Sequence, residues 1–384
     1  MKILALEPYY GGSHKAFLDG WSKLSEHQWT ILSLPAYKWK WRMRHAAITF
    51  AEQVNELVES GKSWDLIFCS DMLNLAEFSG LISPAISKLP SVVYFHENQL
   101  TYPVQVEDER DYQFAMTNIT TALAAKSVWF NSSYHRDSFV EAIGDFFKKM
   151  PDHQPTDAVT NILKKSKIIL PGINRIKNKN GDRKNDILSI LWAARWEHDK
   201  NPEDFFEALK ILKNKEVKFR INVIGQCFRE IPPVFSWAKE YFAEEIDTWG
   251  YQEDRTEYEK VLAESDVIVS TADHEFFGIS VLEAISAGAY PVLPNRLSYP
   301  EILGLNEDKK AEEYFYNGSV EELVDKLIDL AEQFQRTTNL KDIKKLSMIV
   351  ERFMWDNVAS ILDDAIENIY NNAGQFFYEY RTYT

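Results

Sequence analysis

Short apolar runs alternate with stretches of helical period through the first half of the chain. KILALE (2–7), WTILSL (29–34), LIFCS (66–70), SVVYF (91–95), SVWFN (127–131) and KIILP (167–171) read as buried strands of a parallel sheet. Helical patterns such as RHAAITFAEQVNELVES (44–60) lie between them. The alternation predicts a doubly wound α/β domain over residues 1–173. The polar, basic stretch NRIKNKNGDRKN follows, and 174–186 reads as a linker. The pattern then restarts with ILSILWAAR (187–195), FRINVIG (219–225), IDTWG (246–250), DVIVST (266–271) and AYPVL (289–293). PEDFFEALKILKN (202–214) and GISVLEAISAG (278–288) read as helices, the second ending on Gly288 as a C-cap. A second Rossmann-like domain is therefore expected over 187–350. The tail 339–372 reads as long, helical and mostly amphipathic, and 351–384 is expected as a helical segment packing back on the first domain. Two such domains are expected to face each other across a cleft, with ligands at the carboxyl ends of the strands.

Composition narrows the classes. A chain of 384 residues exceeds what one core usually serves, and 45% hydrophobic with 26% charged residues is ordinary globular usage. No apolar run reaches the roughly 20 residues of a membrane span. The opening MKILALEPYY is too short and polar for a signal peptide. Cys69 and Cys227 are too few for a disulfide framework or a zinc site, so a reduced, cytoplasmic setting is the expectation. The net charge of −15 is uneven. Residues 1–180 carry 20 basic and 19 acidic side chains, and residues 181–384 carry 23 and 39. An anionic partner would meet the first half more easily.

The chemistry gathers at strand ends. In HEFFGISVLEAISAGAYP (274–291), Glu275 falls in a loop after a strand, Gly278 starts a helix and Glu283 lies about a turn further on. A helix start suits a pyrophosphate, and a carboxylate beyond it suits ribose hydroxyls. Spacing alone is equally consistent with a loop charge and a salt bridge on a helix face. In LWAARWEHDKNP (191–202), Arg195 and Lys200 follow a buried strand, as a pair able to stabilise a departing diphosphate or as surface cations. His96, Glu97 and Asn98 end the strand SVVYF. In YYGGSHK (9–15), Gly11 and Gly12 would allow close backbone approach, and Ser13 and His14 would face a substrate; Ser13 is also a candidate helix cap. In LPAYKWKWRMR (34–44), Lys38, Lys40, Arg42 and Arg44 alternate with Trp39, Trp41 and Met43. An extended chain there would put cations on one face and rings on the other, as suits RNA; an edge loop with buried tryptophans is the plainer reading.

The clusters ARWEHDKNP and HEFFGISVLEA resemble the second domain of retaining GT-B glycosyltransferases of the family-4 type. The resemblance implies that Arg195 and Lys200 contact the donor diphosphate, Glu275 the sugar and Glu283 the ribose. It also implies that the backbone at Phe277, Gly278 and Ile279 completes the phosphate site. Gly225 and Tyr251 would line the nucleotide, Gly11 and Gly12 the donor phosphate or sugar, and His96 the donor sugar. Such enzymes mainly position reactants and stabilise charge. No Asp-x-Asp pair occurs, and DHE (273–275) is a weak substitute, so transfer without metal or other cofactor is expected. YYGGSHK, LPAYKWKWR, YFHENQLTYPV, FNSSYHRDSF, MPDHQP and ARWEHDKNPE together resemble the tRNA-queuosine α-mannosyltransferase family along nearly the whole chain. That implies mannose transfer from GDP-mannose to queuosine in tRNA. The acceptor side would comprise Ser13, His14, Lys38, Lys40, Trp41, Arg42, Arg44, Glu97 and Asn98.

Three other readings compete. A GT-B enzyme could instead glycosylate a small sugar, a lipid or a cell-envelope acceptor. An NAD-dependent oxidoreductase would need G-x-G-x-x-G after a first strand, a spacing that YYGGSHK lacks. A non-catalytic sugar-nucleotide or RNA binder would have little use for Arg195, Lys200, Glu275, Glu283 and His96 together.

Overall fold

A computed structural model describes residues 1–104, 110–177, 187–228, 230–337 and 343–381. The chain forms two compact units, Met1–Gly172 with Trp355–Thr384, and Ile173–Met354. Each is built on a six-stranded, fully parallel sheet. Most of the expected linker, 178–186, lies outside the described residues, as do positions 339–342 of the expected helical tail.

In the first unit the strands are β1 (Lys2–Tyr10), β2 (Gln28–Pro35), β3 (Leu66–Ser70), β4 (Ser91–Phe95), β5 (Ser127–Phe130) and β6 (Ser166–Ile168). Their order is β2-β1-β3-β4-β5-β6. The order reverses at β1/β3, the place where open parallel sheets bind ligands. Helices α1 (Gly12–Leu24) and α15 (Trp355–Arg381) contribute to the core on one face of this sheet. Helices α2 (Trp39–Glu59), α3 (Leu75–Leu81), α4 (Pro84–Ser87), α5 (Tyr112–Ala124), α6 (Ser133–Lys148) and α7 (Asp157–Lys164) complete the layers, and their apolar side chains form a separate core.

The second unit contains β7 (Leu188–Ala193), β8 (Phe219–Ile224), β9 (Ile246–Gly250), β10 (Val267–Val269), β11 (Tyr290–Pro294) and β12 (Phe315–Tyr316), ordered β12-β11-β10-β7-β8-β9. Here the switch point is β7/β10. Its helices are α8 (Pro202–Asn214), α9 (Val234–Tyr241), α10 (Arg255–Glu264), α11 (Ile279–Ala287), α12 (Tyr299–Ile302), α13 (Val320–Thr337) and α14 (Ile343–Glu351).

One expectation is corrected. The stretch 38–44 is not extended: α2 begins at Trp39. Met43, Ala46, Ala47, Phe50, Ala51 and Val54 are buried at helical spacing, and that stripe carries the preceding residues into the first turns. The cation–aromatic alternation therefore does not divide into two faces of a strand. The tail forms two helices, α14 ending at Glu351 and α15 starting at Trp355.

The start of α15 is fixed by shape. Trp355 fills a notch made by Gly20 and Gly172; an added Cβ would lie 2.1 Å from the ring at Gly20 and 2.2 Å at Gly172. Along the same helix, the buried Asp363 accepts hydrogen bonds from Trp21 Nε1 (2.7 Å), Ser25 Oγ (2.8 Å) and the Glu26 amide (2.9 Å). A buried carboxylate with three donors is well satisfied, and it ties α15 to α1. Trp355→Ala should empty the notch and lower unfolding free energy by about 3–5 kcal/mol, read as a lower urea midpoint; an unchanged midpoint would remove Trp355 as an anchor of the first unit.

Candidate active site

In the first unit, polar side chains collect at the carboxyl ends of β1, β3 and β4. Glu7, near the end of β1, is buried, and both its oxygens are engaged. Oε1 accepts from Ser70 Oγ and from the Tyr9 amide, each at 2.9 Å, and Oε2 faces His14 Nδ1 at 3.1 Å. The His14 ring lies 4.0 Å from that of His96, centroid to centroid. Phe17 meets His96 edge-on at 5.3 Å and Tyr94 flanks it at 4.7 Å. The His96 amide donates to Asp71 Oδ1 at 2.9 Å, while Asp71 Oδ2 makes no hydrogen bond. Asn131 Nδ2 donates to the His96 carbonyl at 3.0 Å and fixes the strand end.

The cluster's charges are strongly coupled. Burial pulls His14 down, but the Glu7 charge and hydrogen bond, helped by Asp71 and Glu97, outweigh it and raise His14 to about 9. Burial raises Asp71 to about 8, opposed by His14. His96 is pushed well below its ordinary value, first by burial and then by the charges of His14 and His135. The unit thus places a cationic His14 beside a neutral His96. Glu7, His14 and His96 are also the one group among the described residues whose ligand atoms, all within 4.8 Å, could hold a metal ion. A cation there would compete with the proton that His14 shares with Glu7.

In the second unit the corresponding place is the end of β7 and β10. Asn201, left-handed at φ 46°, caps α8 by accepting from the Asp204 amide at 3.2 Å, and a 3-10 turn over His198–Lys200 precedes it. Lys200 is only 6% exposed. Its Nζ reaches the His274 carbonyl at 2.6 Å, Asp199 Oδ2 at 3.2 Å and Glu275 Oε2 at 3.3 Å. Burial alone would raise Glu275, but Lys200, Arg195 and the Phe277 amide hold it below the usual carboxylate value. Arg195, more open than Lys200, lies 3.3 Å from Glu197 through Nε. Burial and Lys200 push His274 down to about 4.

Gly278 opens α11 in the left-handed region, φ 95°, where a Cβ would press on Tyr299 at 3.0 Å. The first backbone N–H groups of α11 have no partner within the helix and form an anion-binding end. Glu283, buried one turn in, accepts from Arg255 Nη2 at 2.7 Å and Tyr258 Oη at 2.8 Å. Gly225 is required for a different reason: a Cβ there would lie 1.7 Å from the Ala194 carbonyl oxygen, so only glycine lets the loops after β7 and β8 run together.

Each unit brings its expected residues together in part. Arg195, Lys200, Glu275, Phe277, Gly278, Ile279 and Glu283 gather around β7, β10 and α11, and Gly225 ends β8. Tyr251 follows β9 and is 60% exposed. Asp273, within DHE, is paired with Arg296 at 2.7 Å. In the first unit His14 does not present itself to a substrate: it is 5% exposed and turned onto Glu7 and His96. Ser13 is exposed but caps nothing, because Gly11 is the cap residue of α1. A Cβ at Gly11 would meet Ala36 Cβ at 2.4 Å, so that glycine answers to packing, while Gly12 (φ 51°) lies in open space. Asn98 is fully buried and spent on its own turn, accepting from the Leu100 and Thr101 amides and donating to Thr101 Oγ1. Glu97 is half-buried and accepts from Gln99 Nε2 at 3.0 Å.

Lys38 and Lys40 lie over Tyr37 and Trp39, and Arg42 reaches back to the Pro35 carbonyl at 3.1 Å. Trp41 and Arg44 remain outward. Glu7, Asp71, Arg255 and Tyr258 were not anticipated. A lone acid ending an apolar run, as in KILALEP and LIFCSD, is the only sequence signal for the first two.

Comparison with known proteins defines the class first. Residues 173–345 match the family model described as Glycosyl transferases group 1. The Anabaena protein HepE, solved in complex with UDP, superposes with a TM-score of 0.66 at 13% identity, over 96% of this chain and all of that one. A glycosyltransferase from Rickettsia africae gives 0.65 at 16% identity, covering 96% and 98%. The fold is that of a GT-B glycosyltransferase, two Rossmann-like α/β units.

The particular family follows from the first unit. Residues 2–173 match the model described as tRNA-queuosine alpha-mannosyltransferase N-terminal. The Drosophila melanogaster tRNA-queuosine alpha-mannosyltransferase is 38% identical over 314 residues, 78% of this chain and 81% of the relative. The chain belongs to the tRNA-queuosine α-mannosyltransferase family and is a hexosyltransferase.

The His14 cluster sets a pH dependence. His14 is raised from 6.5 to about 9 in the folded state, so its contribution is complete below about pH 6.5 and is lost as pH rises through 9. Asp71, raised from 3.8 to about 8, also binds its proton more tightly when folded and acts in the same direction. The urea midpoint should fall between pH 6.5 and 9, and Glu7→Gln should flatten that fall. An equal slope in wild type and variant would show that Glu7 does not hold the His14 proton.

Proposed function

We propose that this protein transfers mannose from GDP-mannose to queuosine in tRNA, with retention at the anomeric carbon and without a metal ion. The observation that carries the donor side is the charge set around β7, β10 and α11. It combines Lys200, Arg195 and a glycine-opened helix start with Glu275 and Glu283. Family membership and the name of the Drosophila relative support the acceptor and the sugar.

In the proposed reaction the C1–O bond to the diphosphate breaks and a C1–O bond to an acceptor hydroxyl forms on the same face. The hydroxyl proton passes to the departing phosphate oxygen. Arg195, Lys200 and the first N–H groups of α11 take up the charge that develops there. Lys200 meets the phosphate by exchanging its longest contact, the 3.3 Å one to Glu275, which then turns to the sugar hydroxyls. Glu283, held by Arg255 and Tyr258, offers its remaining acceptor capacity to the ribose. The cations replace the metal that other transferases use for the same purpose. A tRNA acceptor supports a cytoplasmic setting. Among the described residues no helix is long and apolar enough to cross a membrane.

The deciding measurement is incubation with GDP-mannose or UDP-sugars and total tRNA, followed by mass analysis of nucleosides. A hexose increment on queuosine with GDP-mannose, undiminished by EDTA, is expected. An increment only with a UDP-sugar would overturn the donor, and none with any donor would overturn the acceptor. Lys200→Ala and Glu275→Gln should each lower kcat by about 10²–10³-fold, the cost of removing one charge-stabilising group. Full activity in both variants would mean that the donor site lies elsewhere. Loss of tRNA affinity with rising salt should be steep, as several phosphate contacts require.

A further inference from the structure

The face of the first unit formed by α2, α3 and α5 carries a groove with a volume of about 410 Å³, within the range of small-ligand sites. Arg44, Asn74, Tyr112, Gln113, Thr117 and Thr120 line it. The lining is amide, hydroxyl and aromatic, with Met116 as its only aliphatic member. Arg44 stands at its edge with 46% of its side chain exposed. The guanidinium is laid over the Phe114 ring at 4.7 Å and steadied by Asp111 at 3.4 Å. One turn earlier on α2, Trp41 is 61% exposed and rests on His45, with ring centroids 5.2 Å apart. The platform beneath is firm, because Trp39 packs on Phe114 at 5.1 Å and Met43 joins Met72 and Phe114 in a small core.

We propose that this face seats two consecutive nucleotides of a single-stranded RNA loop. One base stacks on Trp41, the next enters the groove, and the phosphate between them meets Arg44. The proposal rests on the reading of tRNA as acceptor and adds the place where loop nucleotides beside the modified one are held. Three features select RNA. A flat, exposed indole next to a cation is the usual platform for an unstacked base. Asn74, Gln113, Thr117 and Thr120 offer the donors and acceptors that a base edge needs, whereas an apolar protein segment would find almost nothing to bury. Lys38 and Lys40 add positive charge at the same helix end, in a chain whose net charge is −15. Arg44 and Trp41 lie three residues apart on one helix face and so act on neighbouring groups of the ligand.

The test is fluorescence anisotropy with a synthetic tRNA anticodon stem–loop and a fully paired RNA duplex of equal length. It uses the full chain and the variants Trp41→Ala, Arg44→Ala, Arg44→Lys and Thr117→Trp, each first shown to keep the wild-type melting temperature. Trp41→Ala and the groove-filling Thr117→Trp should weaken stem–loop binding about 5–100-fold, the loss expected for one unseated base, and change duplex binding by less than twofold. Arg44→Ala should lower the salt slope of binding by about one, and Arg44→Lys should restore the slope. Stem–loop affinity unchanged in Trp41→Ala and Thr117→Trp, with wild type binding well, overturns the proposal and assigns the face to another partner. If wild type binds neither the stem–loop nor whole tRNA, the acceptor reading fails and this proposal with it.

Discussion

A charge buried at the carboxyl end of a parallel strand must be met by opposite charge, and both units are organised around that requirement. In one, Glu7 is enclosed and answered by His14; in the other, Lys200 is enclosed and answered by Asp199 and Glu275. Such pairs add little net stability, but removing either partner leaves a costly lone charge. Their effect is to fix geometry. The Glu7–His14 pair sets the ring on which His96 rests. The Lys200 contacts draw the loop after β10 towards the turn after β7, and the Asp273 and His274 amides close that approach by donating to the Asp199 carbonyl. The polar groups at these strand ends are thus held by ion pairs within each unit.

Much of this was legible in the sequence, for identifiable reasons. LIFCS, SVVYF, IDTWG and PEDFFEALKILKN have the same bounds in the structure as in the pattern, because each is flanked by polar or turn-forming residues that stop it sharply. Spacing alone left Arg195, Lys200, Glu275 and Glu283 open between a donor site and surface charges, and the structure gathers them around β7, β10 and α11. The start of α2 was not legible. In KWKWRMR the chemistry repeats every two residues while the burial repeats every three to four, and burial decides the conformation. The two-residue β12 is too short to leave a period. Arg255 and Tyr258 reach Glu283 across 28 and 25 positions, a relation that no local pattern encodes.

The corrected α2 also changes what its cations can do. As a strand, the segment would have offered four equivalent positive side chains. As a helix it divides them by task. Arg42 is drawn back to the Pro35 carbonyl and His45, securing the turn into the helix. Lys38 and Lys40 lie over their own aromatic neighbours, and Arg44 stands at the groove. A helix terminus of this kind presents few groups, each in a defined place, and that suits recognition of a particular loop better than general attraction to polyanions.

The Gly20–Gly172 notch that receives Trp355 has a consequence for biosynthesis. The second unit is an insertion within the first, since the chain leaves the first at Gly172 and re-enters at Trp355. During synthesis the inserted unit emerges complete while the surrounding one still lacks a helix of its core, leaving Phe17 and Trp21 of α1 and Phe68 of β3 without that cover. The later-made unit can therefore finish folding before the earlier-made one. For that interval the nascent chain shows an apolar surface of the kind that general chaperones bind, although the finished protein covers it.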